Sequence, residues 1–250
     1  MILYQVEDGI ARVSLNRPEK RNALDAAAIC ELRRALADSA ADPGVRVVLV
    51  TGAGSDFCSG MDLSGVERIL DQGPQAQMDD ARTLAELFLA MRHHPKPVVA
   101  AVRGRALAGG CGLATAADLV LASDNATFGY PEVNIGFVPA MVMAILRRSV
   151  PEKRAFELIA MGTVLSASEA LAMGLINRVW PAESFSAEMN SYVAQLAAKA
   201  SAAVALSKQL LYHMDAMSFE AALESGVQMN AIARSTADFR HGLNRFLKKV

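Results

Sequence analysis

Val47-Val48-Leu49-Val50-Thr51-Gly52-Ala53-Gly54-Ser55-Asp56-Phe57-Cys58-Ser59-Gly60-Met61-Asp62-Leu63 is the stretch that decides the architecture: a β-like apolar run that breaks directly into a turn of small residues. The same pattern recurs at Pro97-Val98-Val99-Ala100-Ala101-Val102, followed after Arg103 by Gly104-Arg105-Ala106-Leu107-Ala108-Gly109-Gly110-Cys111-Gly112-Leu113. Small residues let backbone approach backbone or ligand closely, and they free main-chain N–H groups to point at an anion. Two such turns side by side would aim two amides at one developing oxyanion, a large contribution to catalysis. The pattern predicts chemistry on a carbonyl.

Outward from these turns, residues 2–6 and 10–15 flank Asp8-Gly9, a hairpin signal. Residues 16–22 form a polar loop, and Asp25 is placed to cap a helix running to about Ala41. Residues 64–80 carry Gly73, Pro74, three Gln and several Asp with little apolar periodicity, which predicts a mobile stretch, a lid. A helix over 81–92 leads to the strand at 97–102, and a short helix starts at Gly109. Residues 119–122 and 127–129 read as further short strands, and this alternation implies α/β architecture. Beyond about residue 151 strands nearly vanish, and helical spacing runs over 151–160, 167–173, 186–199, 202–214, 219–233 and 236–248. No Pro- or Ser-rich linker intervenes, so the plan is a core over residues 1–185 and a helical region over 186–250 within one domain.

Composition narrows the function. At 250 residues, folding buries roughly three quarters of the extended surface in one large domain. Apolar residues make up 52% and charged residues 20%, the balance of a packed core, not of disorder. A formal net charge of −1 carries no general footprint for nucleic acid, so a polyanionic ligand needs a local basic cluster such as Lys20-Arg21 or Lys248-Lys249. Cys30, Cys58 and Cys111 are an odd set without CxxC, which suggests neither a disulfide framework nor a zinc site. The N-terminus lacks a basic region and a long apolar core, and no apolar run approaches the roughly 18 residues of a membrane span. The expectation is a cytoplasmic protein with no membrane partner and no nucleic-acid partner.

Familiar site motifs fail. Gly52-Ala53-Gly54 opens like a dinucleotide fingerprint, but Phe57 stands where the third glycine belongs and no helix starts there. There is no P-loop, HExxH or GxSxG. Cys58 and Cys111 lie in the two turns with His93 and His94 between them in sequence, so a Cys–His nucleophile pair competes with the commoner reading of buried structural thiols. Gly109-Gly110 either begins a helix whose first amide is free to donate or serves as a tight turn chosen for packing. Glu132 sits between Phe128-Gly129-Tyr130-Pro131 and Val133-Asn134-Ile135-Gly136-Phe137-Val138-Pro139. Desolvation in such a stretch raises a carboxylate toward useful acid/base values, although a satisfied ion pair is the alternative.

The chain resembles the enoyl-CoA hydratase/isomerase (crotonase) family. The likeness runs along nearly its whole length: Asn16-Arg17-Pro18 with Asn22-Ala23-Leu24, Gly52 with Phe57 to Leu63, Pro95-Lys96-Pro97-Val98, Gly104 with Gly109-Gly110-Cys111, Pro131-Glu132 with Gly136, Ala167 with Glu169-Ala170 and Gly174-Leu175-Ile176, and Asp238-Phe239 with Gly242 and Phe246-Leu247. Each block is weak alone, and their joint order is specific. The resemblance implies a ββα spiral core with a C-terminal helical trimerisation region, and an acyl-CoA thioester as substrate. It makes the amides of Met61 and Gly109 the oxyanion hole and Glu132 the catalytic carboxylate. It places Arg21, Ala23, Asp62 and Leu63 near CoA, with Asp62 ordering the turn, and adds Phe246 and Lys249 from the last helix, often of a neighbouring subunit. It implies a homotrimer or dimer of trimers, a place in fatty acid metabolism, no cofactor beyond the CoA carried by the substrate, and no metal.

One departure bears on the reaction. Hydratases with two carboxylates carry a second Glu where this chain has Gly112. A double-bond isomerase needs one carboxylate to move a proton between the α- and γ-carbons, so this count favours 3-enoyl to 2-enoyl isomerisation. Gly112 together with residues 132–140 also resembles a branch regarded as hydratases of branched or carboxylated enoyl-CoAs, which places hydration first. A non-catalytic acyl-CoA-binding module is the third reading, and retention of Glu132 and both amide turns weighs against it.

Overall fold

The structure is a computed structural model, and it describes residues 1–64, 67 and 71–248. Strands β1 (Ile2–Glu7) and β2 (Ile10–Leu15) pair antiparallel across Asp8 and Gly9, both at positive φ, as a two-residue hairpin requires. Strands β3 (Val47–Gly52), β4 (Val98–Val102), β6 (Leu119–Ser123) and β9 (Arg178–Trp180) extend this pair in parallel, giving the order β1-β2-β3-β4-β6-β9. A second sheet, β5-β7-β8, is built from Arg105–Leu107, Thr127–Gly129 and Val164–Ser166. The chain passes from large sheet to small and back, β4 to β5 and then β6 to β7, which is the spiral.

The continuous apolar runs are explained by burial on both faces of the large sheet. Val47, Leu49, Val99, Ala101 and Leu121 face one layer, where α7 (Phe185–Ala197) supplies Phe185, Met189 and Val193. Val48, Val50, Val98, Ala100, Val102 and Val120 face the other layer, with α1 (Ala26–Ala41), α2 (Pro74–Arg92) and α3 (Gly109–Thr115). A strand with no wet face has no reason to alternate. Asp25 caps α1, accepting the Ala28 N–H at 2.8 Å, and the helix ends at Ala41 as expected.

Two expectations are corrected. The helix expected over 81–92 begins at Pro74, inside the stretch read as a lid; residues 65, 66 and 68–70 of that stretch lie outside the described residues. Gly73 at φ 86 and Pro74 at the first helical position form a start signal, and the Gln and Asp that follow are polar because they face water. Helix α4 (Ala140–Ser149) is an addition to the expected elements: it buries Val142 and Leu146, but its exposed face includes the apolar Ala140, Met143 and Ala144 beside Arg147 and Arg148, which blurs the polar stripe in sequence.

After α5 (Glu152–Met161) and α6 (Ala167–Met173), the chain ends in α8 (Ser201–His213), α9 (Phe219–Ser235) and α10 (Ala237–Leu247), none of which has a fully buried residue. One cluster docks α8 on the core. The Lys208 ammonium donates to the carbonyls of Met91 (3.0 Å) and Lys96 (3.2 Å) and to Asp118 Oδ2 (2.8 Å), while the Tyr212 hydroxyl donates to Asp118 Oδ1 (2.6 Å).

Candidate active site

The two small-residue turns are stitched together by their main chains. Phe57 N–H donates to Arg103 O (2.9 Å), Cys58 N–H to Arg105 O (2.9 Å), and Leu107 N–H returns to Cys58 O (3.0 Å). So close an approach leaves no room for side chains: a Cβ on Gly110 would collide with the Cys58 carbonyl and lie 2.8 Å from Cys58 Cβ. Arg105 clamps the same junction, its backbone N–H and Nε both donating to Asp56 Oδ1 at 3.0 and 2.9 Å. On the other side, Leu24 N–H donates to Gly60 O (2.8 Å) and Asp62 N–H to Leu24 O (2.7 Å). These bonds skip Met61. Among the described residues neither the Met61 nor the Gly109 N–H has an acceptor, and a Cβ built on Gly109 would stand 3.9 Å from the Met61 nitrogen. The first N–H of a helix has no intrahelical partner, so Gly109 at the start of α3 is free to donate outward. Met61 Cγ and Leu84 Cδ2, each 3.7 Å from that built Cβ, supply apolar walls.

Glu132 lies on the 3-10 turn Pro131–Ile135 that follows β7. It is half-buried, and its Oε2 is fully buried with no hydrogen-bond partner. Burial pushes its carboxyl above the ordinary glutamate value, against a smaller opposing effect of its own backbone N–H. An orphaned buried carboxylate oxygen is rare in folded proteins and marks a group held ready for a proton or a ligand. Cys111 on α3 is its neighbour in charge: burial pushes that thiol up to about 12, and the Glu132 carboxylate acts in the same direction. Cys58 is likewise pushed up to about 12 by burial. Two neutral thiols at physiological pH cannot be nucleophiles. His94 is buried against Ser39 Oγ and the carbonyls of Leu36 and Lys96, away from both cysteines in the contacts it makes. The Cys–His reading is therefore replaced by structural thiols.

The 16–22 loop is docked onto the first turn by Asn22, a buried side chain to which the sequence alone assigns no role. Its Nδ2 donates to Ala53 O (2.9 Å) and Asp56 O (2.7 Å), and its Oδ1 accepts the Arg17 N–H (2.9 Å). Arg21, the residue before Asn22, is in left-handed backbone with its side chain exposed, and its carbonyl accepts the Ser59 N–H. Ala23 is buried and its carbonyl accepts from Arg17 Nη1 (2.8 Å). Asp62 is committed within this loop: its Oδ1 accepts the Ser64 hydroxyl (2.6 Å), and its Oδ2 meets Arg17 (3.1 Å) and Lys20 (3.3 Å). The Ser64 hydroxyl above all, with Arg17 and Lys20, outweighs desolvation and holds this carboxyl well below the usual range. Leu63 is exposed beside it. Phe246 is 68% exposed on α10, which packs on α8 and α9, and Lys249 lies outside the described residues.

Gly112 faces a closed wall. A Cβ there would collide with Val142 Cγ1 of α4 and lie 3.0 Å from Phe88 Cζ of α2. The place of a second carboxylate is filled by hydrocarbon supplied from two distant segments. Behind it the buried Tyr130 hydroxyl meets Thr115 Oγ1 at 3.1 Å, fastening α3 to the residue two before Glu132.

The profile of the enoyl-CoA hydratase/isomerase family matches residues 5–250. The chain belongs to that family. Among its relatives, a Thermus thermophilus protein named "Putative enoyl-CoA hydratase" is 41% identical over 248 residues, covering 99% of this chain and 98% of that protein. The Escherichia coli 2,3-dehydroadipyl-CoA hydratase is 31% identical over 249 residues, 99% of this chain and 96% of that one. A solved Mycobacterium smegmatis enoyl-CoA hydratase superposes with a TM-score of 0.94 at 32% identity, over 99% of this chain and 96% of the other. The mixed α/β spiral and its helical C-terminal region are thus the architecture of enoyl-CoA hydratase/isomerase proteins. No helix among the described residues is long and apolar enough to cross a membrane.

Proposed function

We propose that the protein adds water across the double bond of 2-enoyl-CoA thioesters. The observation that carries this reading is the buried, unpartnered Oε2 of Glu132 beside a helix whose first amide, with that of Met61, lacks an acceptor. The two N–H groups receive the thioester oxygen and hold the charge that develops there as the enolate forms. Ionised Glu132 takes a proton from water as the water oxygen bonds to the β-carbon. Protonated Glu132 then gives that proton to the α-carbon, and the enolate collapses to the 3-hydroxyacyl thioester. Its raised proton affinity suits both halves of this cycle. The exposed Arg21 and the Arg17–Asp62–Lys20 loop receive the nucleotide end of CoA, and the substrate brings the only cofactor. Exposed Phe219, Leu223, Val227 and Phe246 on α9 and α10 fit burial between copies of the chain, as a trimer or dimer of trimers.

The dry wall at Gly112 favours a second reading. With Val142 and Phe88 filling that place, water has one carboxylate to orient it, and Glu132 alone suffices to shuttle a proton between the α- and γ-carbons of a 3-enoyl-CoA. We expect weak hydration of short straight-chain substrates and better rates where a polar acyl group helps place the water. Incubating purified protein with 2-enoyl- and 3-enoyl-CoAs in ¹⁸O-labelled water tests this. Labelled 3-hydroxyacyl product supports hydration, and double-bond migration with no labelled product from any 2-enoyl-CoA replaces it by isomerisation.

A further inference from the structure

Ala108 occupies backbone space that belongs to glycine. Its φ of 51° and ψ of −127° lie outside the left-handed helical well, in the region of a type II′ turn where Cβ eclipses the nitrogen of the next residue. It is held there from both ends. Its N–H donates to Gly129 O in the small sheet (2.8 Å), and its carbonyl accepts the Gly112 N–H of α3 (3.0 Å). Strain over-determined in this way collects at functional sites. The next peptide plane carries the Gly109 N–H.

The methyl group that makes this conformation costly has a definite neighbour. A Cβ built on Gly60 would stand 3.0 Å from Ala108 Cβ and 3.5 Å from the Gly109 nitrogen, so the Ala108 methyl rests on the Gly60 backbone. Gly60, at φ 102°, directly precedes Met61 and carries the plane of the Met61 N–H. Each free amide therefore follows a residue at positive φ, and those two residues touch through one methyl group. We propose that Ala108 is a positioning residue: its methyl is the spacer that sets the separation and angle of the Met61 and Gly109 amides. The inference rests on the reading of those amides as the thioester site and assigns no direct contact between Ala108 and substrate.

The test is Ala108→Gly, with Ala108→Ser as the variant that keeps a Cβ. Glycine accepts the native φ and ψ, so the variant is expected to fold with a thermal midpoint no lower than that of the parent. Its kcat falls about 10- to 100-fold through misplaced donors while KM stays within about twofold. A ¹³C-carbonyl-labelled acyl-CoA, read by infrared difference spectroscopy, shows the carbonyl stretch lowered on binding to the parent and lowered less in Ala108→Gly. Ala108→Ser recovers most of the rate and of the shift. A carbonyl shift equal in parent and Ala108→Gly overturns the inference alone, as does equal loss of rate in both variants. Absence of any shift in the parent removes the amide pair and this inference together.

Discussion

Introducing the missing second carboxylate tests how the wall beside Gly112 is built. Gly112→Glu places a Cβ against Val142 Cγ1 and 3.0 Å from Phe88 Cζ, both on helices packed to either side. Overpacking of this kind destabilises by about 1–3 kcal/mol. Replacing a helical glycine returns at most about 1 kcal/mol. An unpaired carboxylate in that hydrocarbon wall adds a further penalty of about 1–3 kcal/mol. The net expectation is a loss of about 1–5 kcal/mol, with Tm lowered by about 2–4 °C for each kcal/mol in a chain of this size. Val142→Ala deletes the colliding Cγ1 and leaves Cβ at 3.4 Å, an ordinary contact, at a cost of about 2 kcal/mol when made alone. The double variant should therefore be more stable than the sum of the singles by about 1–2 kcal/mol. Denaturant melts of the four proteins measure this coupling, and loss of conjugated thioester absorbance follows hydration of a straight-chain 2-enoyl-CoA. The double variant is expected to hydrate faster than Val142→Ala. An additive cycle, or a Gly112→Glu protein as stable as its parent, refutes the reasoning.

The remaining expectations are independent of that wall. Glu132→Gln should keep thioester binding and lower kcat by about 10²–10⁴, checked by single-turnover kinetics. Because burial raises the Glu132 pKa, ionisation opposes folding: stability tied to this group is present below its ordinary value of 4.5 and declines as pH rises, so Glu132→Gln should out-melt the parent at neutral pH and match it at pH 4 and below. Native protein should release one equivalent of aromatic thiolate per chain from a disulfide reagent at pH 8, from exposed Cys30, and three after denaturation; fast reaction of Cys58 or Cys111 would place a thiolate in the site after all. Lys208→Met leaves the Asp118 carboxylate short of its cation and should destabilise by about 3–5 kcal/mol in a urea melt, loosening α8 from the core.

How far the sequence could be read depended on whether a feature was local. The runs at 47–51 and 98–102 announced themselves because both faces of the sheet are covered, and Asp25 declared its helix through a cap three residues from its donor. Glu132 stood out by its place in an apolar stretch, yet Ile135, Phe137 and Val138 of that stretch are exposed, so the burial of its Oε2 was not written in its own segment. Strands β5, β7, β8 and β9 have three residues each, too few for a period, and of these only 127–129 was legible as a strand. Gly73-Pro74 reads equally as loop or as helix start until the packing of Leu84 and Phe88 decides. The contacts that shape the site's walls, Val142 on Gly112 and Ala108 on Gly60, join residues 30 and 48 positions apart and leave no pattern in either segment.

The amides left out of the ladder around Met61 and Gly109 have a consequence for hydrogen exchange. Slow exchange requires a bonded, shielded N–H, and most of this junction qualifies, since Phe57, Cys58, Asp62 and Leu107 all donate to main-chain carbonyls. Met61 and Gly109 make no such bond, so both are expected to exchange fast beside this slow ladder. Occupancy by a thioester oxygen would slow both at once while the surrounding ladder, already closed, registers little. A paired slowing at residues 48 apart in sequence would thus report a bound acyl group without any turnover, and would do so equally with a saturated acyl-CoA that the enzyme has no means to transform.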